Sequence, residues 1–366
     1  MGGRMLWRKL ARKIFKDRRH IGITLYSTSQ CDTGCSHCID NSDCKNPVHF
    51  TKELAQTIVK EARKERWMLS ALLTGGGEPL MTPELIGIAD AFGNYERSHT
   101  FGIITSGFKD NETFRKQQFE TLLKRPYAKK MSIDQSFSLY HPSFPERLTN
   151  TAHLMMSLRK KSHFRIRACM SLDNCRQTQW EIEKVVKNLA KEIEATGFSL
   201  PLGWHEPDRR LFHYFESKLI GDKTAYKLGV EAFLTPQWHA IKTKDGGIIM
   251  ITQPISLTHE GRGSSIEQSP YGYCTCDALR TSWEDTYLIV GPDGSVYPEC
   301  SCFPTEHMRL GKIGEDSLAE LIRRKDLFVE RITQTILADK RMCQWGTKEV
   351  CTLCKQIVAE KGIGLQ

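Results

Sequence analysis

The sequence predicts an α/β fold of parallel strands joined by helices, followed by a smaller cysteine-rich region. Three observations carry that reading. Apolar, β-rich runs alternate with helix-capping signals from about residue 21 onward. Glycine-rich or cysteine-rich loops follow the first two of these runs directly. Seven of the 13 cysteines gather between Cys274 and Cys354.

Each element has its own signal. IGITLYS (21–27), MLSALLT (68–74), TFGIIT (100–105), KKMSID (129–134) and FRIRACMSL (164–172) read as buried strands, with GIIMITQ (247–253) as a sixth. Thr51 is placed to cap a helix that turns Leu54, Ile58 and Ala62 to one side. Thr82-Pro83-Glu84 supplies an N-cap, a first-turn proline and a favourable acid. Asn111, Pro145 and Gln177 open three further helices. Parallel strands with helical crossovers close into an open sheet or a barrel. Residues 205–246 break the rhythm and read as helices inserted over one end. YLIVGPDGSVYP reads as a hairpin about Pro292-Asp293-Gly294, with a helix to follow at Ser317–Arg324.

With 366 residues the chain is long enough for about two domains. No apolar run approaches the ~18–20 residues that span a bilayer, and no export signal precedes the first strand. A cytoplasmic location follows. The net charge of +9 is concentrated at the start, where residues 1–19 hold eight basic residues against Asp17. The remainder carries 44 basic and 42 acidic residues. That balance argues against a nucleic-acid partner. Residues 1–20 read as a basic N-terminal helix with Leu6, Leu10 and Ile14 on one face.

Cysteine usage points to metal ligation in a reducing compartment, because the clusters sit in a long chain and the total is odd. Cys31, Cys35 and Cys38 have C-x3-C-x2-C spacing directly after a strand. Three thiolates so close can each bind a different iron of a cubane cluster and leave the fourth iron open. Zinc would want a fourth ligand, for which Cys44 is the local competitor.

This triplet resembles the defining motif of the radical S-adenosylmethionine (radical SAM) enzymes, with His37 where that family carries a ring side chain. Thr74-Gly75-Gly76-Gly77-Glu78-Pro79 resembles its GGEP loop. The resemblance implies a partial (β/α)6 barrel over residues 21–266, with a [4Fe-4S] cluster on the three cysteines binding SAM. Gly76, Gly77 and Glu78 would serve the SAM amine. Ser106, Ser132 and Arg147 stand where the family places further SAM contacts, although Ser106 replaces the usual Asn and the spacing before Arg147 departs from the pattern.

Residues 292–300 and Leu310-Gly311-Lys312-Ile313 resemble the SPASM and twitch domains, which hold auxiliary iron–sulfur clusters. The resemblance assigns residues 267–366 to such a small domain, with at least one auxiliary [4Fe-4S] cluster on Cys276, Cys300, Cys351 and Cys354. Cys274, Cys302 and Cys343 remain open as further ligands. Cys169 and Cys175 read as core thiols, Cys169 doubling as a candidate hydrogen donor if it faces the barrel interior. The family's chemistry implies a reducing partner such as flavodoxin or ferredoxin. It also implies a peptide or protein substrate, with a sugar or aminocyclitol as the alternative. The 30 residues before Cys31 are too few for a folded leader-peptide-binding domain on that side.

Overall fold

A computed structural model describes residues 20–36, 38, 42, 45–141, 143–158, 163–170, 197–199, 237–243, 246–256, 286–298, 306–338 and 359–361, with part of 177–188. It forms two compact units. The first comprises residues 1–30, 45–101 and 274–366; the second comprises 31–44 and 102–273.

In the first unit, β1 (His20–Tyr26) lies parallel to β2 (Met68–Thr74), with Ile21 opposite Leu69 and Leu25 opposite Leu73. On its other edge β1 is parallel to β9 (Thr286–Val290), and Gly22 faces Tyr287. Gly22 is required there, since a Cβ would collide with the Tyr287 ring. β9 continues antiparallel into β10 (Ser295–Pro298) and β11 (Gly311–Lys312). The expected hairpin about Gly294 therefore exists, and it extends the sheet that contains β1.

Helix α1 (Lys52–Lys64) follows the sequence closely. The Thr51 hydroxyl accepts the Leu54 N–H at 3.3 Å, and Ala55, Ile58, Val59 and Ala62 are buried. Helix α2 (Leu85–Gly93) starts three residues after the predicted Thr82 cap. Thr82 instead ends a 3₁₀ turn, Pro79–Met81, and its hydroxyl donates to Ser27 Oγ at 3.0 Å. The Glu84 carboxylate accepts the Lys52 N–H at 2.8 Å, tying the starts of α1 and α2 together. Helix α5 (Leu318–Ala338) packs on α1 and β10, and the Glu61 carboxylate accepts its first N–H, that of Leu318.

β3 (Ser98–Thr105) carries the chain into the second unit. There β4 (Met131–Phe137), β5 (His163–Met170) and β8 (Gly246–Ser256) run parallel in that order. Helices α3 (Thr113–Leu123) and α4 (Phe144–Ser157) make the crossovers on either side of β4. The described residues of 177–188 are helical, as expected. Of residues 205–246, where inserted helices were expected, 205–236 lie outside the described residues; at the end of that stretch β7 (Gln237–Thr243) pairs antiparallel with β8 instead, and β6 (Gly197–Ser199) pairs with β7. The sequence reason is Asp245-Gly246 between two runs able to pair, which is hairpin chemistry rather than a helix start. Residues 1–19 and the cysteines from Cys274 to Cys354 lie outside the described residues.

Candidate functional site

The loop after β2 belongs to the first unit and is built on backbone proximity. Gly75 and Gly76 take φ of +44° and +72°, a region that L side chains rarely enter. A Cβ on Gly76 would lie 2.8 Å from the Thr28 carbonyl oxygen, and one on Gly77 would collide with that of Gln30. The Glu78 N–H donates to the same Gln30 oxygen at 2.8 Å. Glu78 is buried, and its Oε1 accepts the Leu80 N–H at 3.1 Å, so this carboxylate stiffens the loop's exit through Pro79.

The cysteine loop belongs to the second unit. Cys35 is buried, Cys31 and Cys38 are half-buried, and none of the three is in a disulfide. The Cys38 N–H donates to the Cys35 carbonyl at 3.3 Å, and Gly34 turns the loop at φ +67°. Three thiols within eight residues suit a cubane, in which each thiolate meets its own iron. Among the described residues no three His, Cys, Asp or Glu side chains gather tightly enough for a single metal ion. His37 and Cys44 lie outside the described residues.

Residues 32 and 33, between the first two cysteines, anchor this loop. The Thr33 and Ser106 hydroxyls share a hydrogen bond of 3.2 Å. The Arg115 guanidinium, on α3, is paired with the Asp32 carboxylate and donates to Thr33 Oγ1 at 3.3 Å. It also donates to Ser106 Oγ at 3.3 Å and to the Gly107 carbonyl at 3.2 Å. Burial and the adjacent Arg147 charge pull the Arg115 pKa down to about 10, while the Cys31 sulfur acts in the opposite direction.

Ser106, expected from the resemblance to contact SAM, stands beside the cysteine loop, where its hydroxyl meets Thr33 and Arg115. Gly107 follows at φ +76°, its N–H donating to Thr105 Oγ1 at 2.9 Å. A Cβ there would lie 2.5 Å from Gln135 Nε2 and 2.6 Å from Thr151 Oγ1. Arg147 is buried on α4, and its Nη1 and Nη2 form a fork on Glu112, each at 2.7 Å. Its Nη1 also donates to the Gly107 carbonyl at 3.1 Å. Its Nε is buried without a hydrogen-bond partner among the described residues. Ser132 is half-buried on β4, opposite His163. Cys169 lies on β5 opposite Ile255.

Sequence reasoning missed Arg115, Glu112, Asp32 and Thr33. Glu112 and Arg115 form an ion pair three residues apart at the start of α3, a spacing common on solvated helix faces. The available signal was an acid and a hydroxyl lodged between two cysteines.

Residues 25–134 match the radical SAM superfamily, and residues 276–356 match SPASM, described as an iron–sulfur cluster-binding domain. The chain carries a radical SAM domain and a SPASM domain. The former implies SAM and a [4Fe-4S] cluster, and the latter implies auxiliary iron–sulfur clusters. The radical SAM match contains the cysteine triplet, the Gly75–Glu78 loop, Ser106, Arg115 and Ser132, and stops before Arg147. The SPASM match contains Cys276, Cys300, Cys302, Cys343, Cys351 and Cys354, and leaves out Cys274.

Solved structures similar to this chain include Streptococcus suis SuiB bound to S-adenosylmethionine. It is 15% identical over 93% of this chain and 75% of that one, with a TM-score of 0.49. Native anSMEcpe with bound AdoMet and Kp18Cys peptide is 14% identical over 94% and 96%, at 0.47. BtrN in complex with AdoMet and 2-DOIA is 13% identical over 84% and 85%, at 0.41. Among curated proteins no sequence relative was found. No helix of the described residues is long and apolar enough to cross a membrane.

Proposed function

We propose that this protein is a maturase-type oxidoreductase that cleaves SAM reductively and abstracts a hydrogen atom from a peptide or protein side chain. The observation that carries the reading is the doubly anchored loop bearing Cys31, Cys35 and Cys38 inside a radical SAM match. A [4Fe-4S] cluster held by Cys31, Cys35 and Cys38 would supply the single electron for reductive cleavage of SAM.

The chain's own groups hold and orient. Cys31, Cys35 and Cys38 hold the cluster. Gly76 and Gly77 let main chain approach the SAM amine, and Glu78 fixes that loop. Ser106, Ser132 and His37 are assigned to the SAM side of the site. Arg147 would meet the SAM carboxylate, its guanidinium held in place by the fork on Glu112 and the bond to the Gly107 carbonyl. Cys276, Cys300, Cys351 and Cys354 would hold an auxiliary cluster, which would supply an electron acceptor or a dock for substrate. Flavodoxin or ferredoxin delivers the first electron in the cytoplasm.

The SPASM match supports a peptide or protein substrate over a small metabolite, because such extensions mostly accompany side-chain modification. The solved structures do not weigh in that choice.

The test is anaerobic reconstitution of the full chain. About eight irons are expected, four per cubane. Changing Cys31, Cys35 and Cys38 to Ala should remove about four of them and abolish 5′-deoxyadenosine formation. A triple variant that still forms 5′-deoxyadenosine would sink the reading. Deuterium carried from a labelled peptide into 5′-deoxyadenosine supports the substrate class. Carriage from an aminocyclitol, with none from peptides, would replace it.

A further inference from the structure

Arg115 is given no role toward SAM or the cluster in the reading above, yet it is one of the most deeply buried charged groups near the cysteine loop, at 2% exposure. A guanidinium out of water is costly unless its donors are matched. Here the Nη1 and Nη2 donors reach acceptors from three separate segments. Asp32 and Thr33 lie within the cysteine loop, Ser106 and the Gly107 carbonyl lie just beyond β3, and Glu112 immediately precedes α3, at 3.4 Å. Glu112 is in turn held by the Arg147 fork. The loop between Cys31 and Cys35 is therefore tied through one planar side chain to a braced cluster of charges.

We propose that Arg115 is the positioning residue of the cysteine loop: it clamps Asp32 and Thr33, fixes the placement of Cys31 and Cys35, and sets a positive charge beside the cluster they hold. The inference rests on the proposed function, because it needs the cluster at these cysteines. Two consequences follow from the geometry. A lysine keeps the charge but not the fork, since an ammonium is a point donor that cannot reach Asp32, Thr33, Ser106 and Gly107 together. Removing the charge makes each added electron harder to hold. Outer partners of a metal site orient its ligands and tune the metal in this way.

The experiment uses the anaerobically reconstituted full chain as wild type, Arg115→Lys, Arg115→Gln and Asp32→Asn. Loss of iron to a chelator and the reduction midpoint of the cluster whose EPR signal changes on adding SAM are both measured, with thermal melting as a folding control. Arg115→Lys should lose iron about 10-fold faster than wild type while keeping a wild-type midpoint, a loss typical for an outer partner of a metal site. Arg115→Gln should lose iron as fast and shift the midpoint to more negative values. Asp32→Asn should shift it to more positive values and also lose iron faster. Wild-type chelation and midpoint in a folded Arg115→Gln overturn the proposal. If that variant does not fold, the half-exposed Asp32 decides, and wild-type behaviour of Asp32→Asn overturns it equally. A wild-type chain with no SAM-responsive EPR signal would instead overturn the functional reading itself.

Discussion

At the end of β2 a single methyl group separates a working loop from a blocked one. Gly77→Ala would drive its Cβ into the Gln30 carbonyl that also accepts the Glu78 N–H. Overpacking of this kind costs about 1–3 kcal/mol. Felt wholly by the ligand, that is about a 5–150-fold loss of SAM affinity, measurable by anaerobic equilibrium dialysis. Gly314→Ala is the control, because its Cβ enters open space and meets only the left-handed backbone penalty of ~1 kcal/mol. Arg66 shows the opposite case. It ends α1 at φ +55°, with the Trp67 N–H on the Ala62 carbonyl at 2.9 Å and its own N–H on Arg63 at 3.2 Å. Arg66→Gly should relieve about 1 kcal/mol of strain and raise the melting temperature. Gly75, Gly76 and Gly77 were legible in the sequence as a tight turn. Arg115 was not, because its partner Asp32 lies 83 residues away and nothing local marks a helical arginine as buried.

Among the elements, the parallel strands were the most legible, since each is a short apolar run whose ends are marked by turn residues or caps. β7 was not, because its partner is β8 and only the pairing makes a strand of QWHAIKT. The start of α2 was misplaced for a related reason: Thr82 has a better partner in Ser27, 55 residues away, than in its own helix. The β1–β9 pairing gives an element-scale prediction. Gly22→Ala should destabilise by about 1–3 kcal/mol through the Tyr287 ring, and Gly22→Ala with Tyr287→Ala should cost less than the two single changes together. Additive losses in urea would mean that the strands do not meet there. On α5, hydrogen bonds from Arg323 and Arg324 hold the Glu320 carboxyl down at about 2, against an ordinary 4.5. A depressed acid stabilises above its unfolded pKa and loses that contribution as pH falls through the folded one. Glu320→Gln should therefore cost stability at pH 6 and cost progressively less from 4.5 down to 2.

At the scale of the molecule, the C-terminal strands are not a detachable tail. β9 covers the second edge of β1, and Leu288, Ile289 and Val290 are buried with it. A chain cut at residue 266 exposes that edge and should aggregate. A soluble, monomeric fragment by size-exclusion chromatography would contradict this. The same pairing has a cost in time. On the ribosome β1 emerges first, and 260 residues separate Tyr26 from Thr286. At about 5–20 residues per second, the strand that will cover β1 is about 13–52 s away. During that interval the half-made sheet is open to edge-on pairing with neighbouring nascent chains. A holdase chaperone should raise the yield of the natural order, and a circular permutant translated from residue 286 should no longer need one.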